Sequence, residues 1–260
     1  RIEALLRRES VPYRTFVAES AAEARTYARQ AVEEKMTGVI AVGGDGTLFE
    51  VINGMAGSEL TLLFACCGTG NDFIKTLRLP KDPVEALGAQ LHAPLSRIDI
   101  GRLNETYFLN VSGTGFDVEV LRQAEKYKRT HKGLGVYLRG VRDAIRTFRP
   151  IEARIGFDGA EPQARRFTII SIGNGRYIGG GMRAVPMAQV NDGFFDVVTT
   201  RPLPRWAIGF LMAIYVPGWY AYTPFVQRAR CKRLRILCPG MTVNLDEELI
   251  DCDEAAFELL

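Results

Sequence analysis

Histidine is nearly missing from this chain: only His92 and His131 occur in 260 residues. A zinc centre built on imidazoles, or a Ser-His-Asp triad, has too little to draw on. Cysteine is also scarce, with five residues (Cys66, Cys67, Cys231, Cys238, Cys252) and no CxxC pair. An odd, unpaired set suits reduced, mostly buried thiols in a cytosol better than a disulfide framework. No run is apolar for long enough to cross a bilayer. The uncharged stretch 206–227, bracketed by Arg205 and Arg228, is interrupted at Pro217-Gly218. A helix ending there is roughly 16 Å long, against a hydrocarbon core of about 30 Å. Repeats, low-complexity tracts and a signal-peptide pattern are absent too. The chain opens at Arg1 on what reads as the tail of a helix, which predicts further residues before it.

What is present is ordinary for a globular protein, 47% hydrophobic and 24% charged, and disorder is excluded. The net charge of +3 is too small to indicate a nucleic-acid partner. Its distribution is uneven. Residues 122–149 hold nine Lys/Arg against two acids, and 228–235 hold five against none.

The first third reads as alternating elements: helix 21–36 behind Ser20, strand 38–42, helix 47–55, strand 61–67, then helices 72–77 and 83–91. This rhythm predicts a parallel sheet flanked by helices. From about Pro94 short strands dominate, at 97–103, 107–112, 151–157, 166–172, 194–199, 232–238, 241–249 and 255–259. Helices near 116–128, 134–147 and 204–216 interrupt them. The expectation is an α/β domain over 1–94 and an antiparallel β domain, sandwich or barrel, over 95–260.

Two loops carry the sharpest signal. GVIAV runs into Gly43-Gly44-Asp45-Gly46-Thr47 and a helix; TLLFACC runs into Gly68-Thr69-Gly70-Asn71-Asp72 and another. Glycines let backbone N–H groups approach an anion, and a helix N-terminus adds partial positive charge. Consecutive right-handed βαβ units put both loops at the same end of the sheet, which suggests a polyphosphate. The dinucleotide fingerprint is not met, since Phe49 and Phe73 stand where its third glycine belongs, and no Gly-Lys pair exists for a P-loop. Asp45 inside an anion cradle calls for a mediating cation. Mg²⁺ takes one or two carboxylates together with phosphate oxygens, and so points to phosphoryl transfer.

GGDGTLFEVING at 43–54 followed by GTGNDFIKTLRLP at 68–80 resembles the catalytic domain of the diacylglycerol kinase family, above all its soluble bacterial lipid kinases. YFLNVSGTGFD ending at Asp117, IGNGRYIGGGM at 172–182 and DGFFDV at 192–197 extend the likeness over nearly the whole chain. The resemblance implies an N-terminal nucleotide-binding α/β domain and a C-terminal β-sandwich, with the active site in the cleft between them. It implies ATP and Mg²⁺ as cofactors. Gly43, Gly44, Asp45, Gly46, Thr47, Glu50, Gly68, Thr69 and Asn71 would serve the nucleotide. A Mg²⁺ site would use Asp192 with Gln189 and Phe194, and Asp45 would join the metal network. The catalytic Asp-Gly-Glu triplet falls on Asp246-Glu247-Glu248, with Glu247 in place of the family glycine. The family's first strand is not found in this chain.

Read as one strand, VNLDEEL puts Asp246 and Glu248 on a common face, where like-charge repulsion would favour a general base for a lipid hydroxyl. A lipid substrate implies contact with a membrane surface, in a cytoplasmic protein at its inner face. The basic residues Lys126, Lys128, Arg129 and Lys132 in 122–149, and the apolar 206–219, are the candidate surfaces, without a transmembrane segment. A homodimer is left open. Two other readings share these features: an NAD kinase-like enzyme, which has GGDGT alone, and a non-catalytic nucleotide or lipid sensor.

Overall fold

The computed structural model describes residues 1–127 and 134–260. The chain divides into two compact units, Arg1–Ile98 and Asp99–Leu260.

In the first unit α1 (Ile2–Arg8) precedes α2 (Ala21–Glu33), which Ser20 caps by accepting the Glu23 N–H. β1 (Gly38–Gly43) leads to α3 (Asp45–Met55), and β2 (Thr61–Cys66) to α4 (Asp72–Leu77) and α5 (Pro83–Leu91). β1 and β2 pair in parallel. Leu5 and Leu6 of α1, Ala65 of β2 and Leu87 of α5 form a buried cluster on one face. α3 begins two residues earlier than its apolar pattern suggests, because Gly44 serves as N-cap and draws Asp45 and Gly46 into the first turn.

The second unit is antiparallel. Its strands are β3 (Gly101–Leu103), β4 (Thr106–Phe108), β5 (Val111–Gly115), β6 (Ile151–Phe157), β7 (Gln163–Phe167), β8 (Ile169–Gly173), β9 (Phe195–Thr200), β10 (Val226–Cys231), β11 (Arg233–Leu245) and β12 (Glu248–Leu259). The order is β10-β9-β8-β5-β11-β12-β3-β4, with β6 on the first half of β11 and β7 on β6. α6 (Phe116–Glu125) and α7 (Leu134–Thr147) follow β5, and α8 (Arg205–Tyr215) with a short 3-10 turn (Trp219–Tyr222) follows β9. Phe116, Val120, Ala144, Phe148, Ile208 and Leu211 bury these helices against Val111, Ile169 and Val198 of the sheet.

Expectations change in the second unit. The strand expected at 97–103 is paired only from Gly101. Residues 232–249 do not form two strands joined by a Pro-Gly turn: β11 runs through, with its register to β12 interrupted between Leu237 and Met241. Pro239 cannot donate to a ladder and Gly240 takes φ +67°, so the pair makes an irregularity rather than a reversal. The real reversal lies at Asp246-Glu247.

Candidate functional site

β1 and β2 end level, Gly43 opposite Cys66, and the Cys67 N–H donates to the Gly43 carbonyl at 2.7 Å. Both glycine loops therefore leave the sheet at one end. They also touch. A Cβ on Gly68 would lie 2.6 Å from the Gly44 Cα, and one on Gly44 would lie 3.2 Å from the Gly68 Cα. Gly68→Ala is expected to drive the loops apart. Calorimetric titration should then show at least about tenfold weaker ATP binding in a chain whose circular dichroism is unchanged; parental affinity would contradict the close approach.

Asp45 stands at the joint. Its Oδ1 accepts the Asp72 N–H at 2.9 Å and the Phe73 N–H at 3.5 Å, so the first loop caps the helix that leaves the second. Burial, and then the charge of Asp72, push its pKa up. Asp72 is buried and paired with Lys75 Nζ at 2.7 Å; the same ammonium donates to the Gly70 carbonyl at 2.8 Å. Asn71 adopts φ +51°, and its amide donates to the Gly68 carbonyl at 2.8 Å. Its Oδ1 is buried without a hydrogen-bond partner among the described residues, an acceptor awaiting a donor or a cation. Gly46 and Thr69 are exposed beside it. At Glu50 the Arg25 Nε donates at 2.7 Å, tying α2 to α3.

In the second unit, Leu245 pairs with Glu248, so Asp246 and Glu247 are the two residues of a hairpin turn. Both have positive φ, +48° and +77°, as such turns require. Asp246 and Glu248 therefore do not share a strand face, contrary to the one-strand reading. Instead the Asp246 carboxylate accepts the N–H groups of Leu109 (2.8 Å), Asn110 (3.1 Å) and Val111 (2.9 Å). Glu247 accepts the Gly179 N–H at 2.9 Å, and its own N–H donates to Asn244 Oδ1 at 2.9 Å. Glu248 is exposed at the head of β12. The turn thus gathers IGNGRYIGGGM and the approach to β5. The left-handed backbone at 247 explains physically why a glycine suits that position, and why Glu247 stores strain there.

Asp192 lies in the same unit at a turn before β9. Its Oδ1 accepts the Phe194 N–H at 3.1 Å and its other oxygen is bonded to Arg230. Arg230 sits opposite Asp196 in the β10–β9 ladder, with its guanidinium 4.6 Å from the Phe194 ring centroid. Gln189 is exposed nearby in sequence. Among the described residues no group of three or more His, Cys, Asp or Glu is placed to hold a metal.

Two family models match: the diacylglycerol kinase catalytic domain over residues 1–103, and the YegS C-terminal, NAD kinase beta sandwich-like domain over 110–253. The chain belongs to the diacylglycerol kinase family. Membership places it among phosphotransferases whose acceptor is a lipid alcohol. It is 33% identical to a YegS-like candidate lipid kinase of Chromohalobacter salexigens over 67% of this chain and 57% of the relative. It is 29% identical to a diacylglycerol kinase of Mycobacterium tuberculosis over 94% of this chain and 80% of that protein. A solved structure of a Bacillus anthracis candidate diacylglycerol kinase superposes with a TM-score of 0.76 at 26% identity, covering 94% of this chain and 81% of the other. An Archaeoglobus fulgidus NAD kinase solved with ATP shares the fold alone, with a TM-score of 0.52 at 12% identity over 100% of this chain and 84% of that one.

Some residues in this diacylglycerol kinase family chain escape a motif-based search. Asp72 and Asp117 close the GTGND and SGTGFD strings, so their signal was present, but only burial singles them out. Asp117, on the first turn of α6, is buried with its Oδ1 unpartnered among the described residues, and burial pushes its pKa up to about 6. Arg230 is signalled in the sequence only as one of the five basic residues of 228–235; the β10–β9 register brings it to the acids.

Proposed function

We propose that the chain is an ATP- and Mg²⁺-dependent lipid kinase that phosphorylates a hydroxyl of a membrane lipid such as diacylglycerol. The observation that carries this reading is the pair of touching glycine loops, each opening a helix, with Asp45 of one capping the helix of the other. Backbone N–H groups of Gly43–Thr47 and Gly68–Asn71 receive the triphosphate, and the helix N-termini favour its charge. Glu50 supports this cradle through Arg25 rather than from the nucleotide side. Asp246 is the favoured acceptor of the hydroxyl proton, with Glu248 two residues on as the alternative. Catalysis then rests on positioning and electrostatics.

Asp45 fits a hard cation: its pKa is raised, a second carboxylate is close by, and the orphaned Asn71 Oδ1 adds a neutral oxygen. When bound there, Mg²⁺ supplies neutralisation of charge on the transferring phosphoryl group. The Asp192 turn fits less well, because a guanidinium already neutralises its carboxylate; a metal held by Asp192 and the carbonyls of Gln189 and Phe194 would have to displace Arg230. Arg230→Ala is expected to give the protein a thermal midpoint that rises more steeply with added Mg²⁺ than the parent's does. An equal Mg²⁺ response in both would show that Arg230 is not the resident cation.

The deciding assay is transfer of labelled γ-phosphate from ATP with Mg²⁺ to diacylglycerol, sphingosine, ceramide or phosphatidylglycerol in mixed micelles, with NAD in parallel. Label in a lipid supports the proposal. Label in NAD alone would favour the NAD kinase-like reading that the shared fold keeps open, and ATP binding without any transfer would favour a sensor.

A further inference from the structure

α8 and the 3-10 turn behind it are apolar on two sides, and only one side is used by the core. Ile208, Leu211, Met212 and Tyr215 face inward and are buried, as are Tyr220 and Ala221. The opposite side presents Trp206 (83% exposed), Phe210 (63%), Trp219 (68%) and Tyr222 (60%), with Ala213 and Val216 between them. Trp206, Phe210 and Ala213 follow helical spacing, so they form one ridge. The inner face is well packed, so the outer exposure is a property of an ordered element and not of a loose one. Keeping so many large apolar side chains in water is unfavourable unless something covers them.

The charge around the ridge says what does. From Val197 to Leu245 the sequence has seven Lys/Arg and no acidic residue. Arg201, Arg205 and Arg228 are exposed next to the ridge, and the Arg228 guanidinium lies 5.2 Å from the Tyr222 ring centroid. A second copy of the chain fits poorly, because an isologous contact would bring this cationic rim against itself. A ridge with a tryptophan near each end and arginines beside it matches an anionic bilayer surface, where indole rings settle at headgroup level and arginines meet phosphates.

We infer that the outer face of α8 and the 3-10 turn is a membrane-docking surface for anionic lipid, inserting Trp206, Phe210 and Trp219 and holding the headgroups with Arg201, Arg205 and Arg228. Of the basic residues expected to act alongside it, Lys128, Arg129 and Lys132 lie outside the described residues and carry no part of this inference. The inference rests on the lipid-kinase reading for the need to reach a bilayer, while the docking itself can be measured without turnover.

The molecule carries its own reporter, since Trp206 and Trp219 are its two tryptophans. Their emission should shift to the blue on vesicles of phosphatidylcholine with phosphatidylglycerol, and far less on phosphatidylcholine alone. In sedimentation with the same vesicles, Trp206→Ala with Trp219→Ala should cut partitioning at least about tenfold. Arg201→Glu with Arg205→Glu and Arg228→Glu should lower it by about a hundredfold at low salt and abolish the salt dependence. All five positions are exposed, so the variants should keep the parental thermal midpoint. Indifference of emission and sedimentation to anionic vesicles would overturn the inference. So would parental binding by the tryptophan variant, or a dimer in analytical ultracentrifugation that the same two substitutions dissolve. Vesicle binding without phosphate transfer to any lipid would leave the docking face standing and sink the kinase reading; transfer to a dispersed short-chain diacylglycerol without vesicle binding would do the reverse.

Discussion

Asp246→Ala is expected to abolish phosphate transfer and to destabilise the second unit by on the order of 3 kcal/mol. The stability loss follows from the three backbone N–H groups that its carboxylate satisfies. They belong to Leu109, Asn110 and Val111, all buried residues, so water is poorly placed to replace the lost acceptor. Alanine leaves these donors without a partner, and the segment entering β5 loses its tie to the β11–β12 turn. Asp246→Asn separates anchoring from proton transfer. The amide oxygen can still accept, although its NH₂ must face a donor, so part of the stability should return. Phosphate transfer should not return if the carboxylate takes the hydroxyl proton. The checks are urea unfolding of both variants and transfer assays at a temperature where each is folded. An Asp246→Asn protein within about fivefold of parental turnover would move the proton acceptor to Glu248. An Asp246→Ala protein with an unchanged urea midpoint would refute the anchoring role.

Asp117 gives the second large effect. Its carboxyl is buried on α6 and accepts from Asn244 and the Val118 N–H, yet burial outweighs both and raises its pKa from 3.8 to about 6. Its ionisable neighbours Tyr215 and Tyr220 are themselves pushed up by burial and stay neutral. The native state therefore binds this proton more tightly than the unfolded chain does. Its contribution is fully present below about pH 4 and is lost as pH rises through about 6, so that ionised Asp117 costs roughly 3 kcal/mol at neutral pH. Asp117→Asn should remove that slope and be more stable than the parent at pH 7 by up to about this amount, less whatever its new amide donor lacks in partners. Urea midpoints of the two proteins between pH 4 and 8 test this by difference, which cancels the other carboxylates. Parallel curves would show that Asp117 does not ionise in that window.

Much of this protein is legible in the linear sequence. The parallel start, the two glycine loops, the antiparallel remainder and the short helix over 205–215 follow from hydrophobic period, glycine placement and proline. These are local rules, in which each residue's neighbours in sequence decide its state. Two motifs in the right order were enough to indicate the family. Pairing and burial are not local. No pattern in VNLDEEL distinguishes a strand from a hairpin, because acidic residues suit either; the turn at Asp246-Glu247 exists because Leu245 finds Glu248 across the ladder. Likewise, nothing adjacent to Asp192 announces Arg230, which is brought there by antiparallel register. The sequence alone determined the family and the two glycine loops. Only the tertiary structure decided which carboxylate caps a helix, which is tied to three backbone amides and which is stranded in the core, because hydrogen-bond partners and desolvation are set by residues far away in the chain.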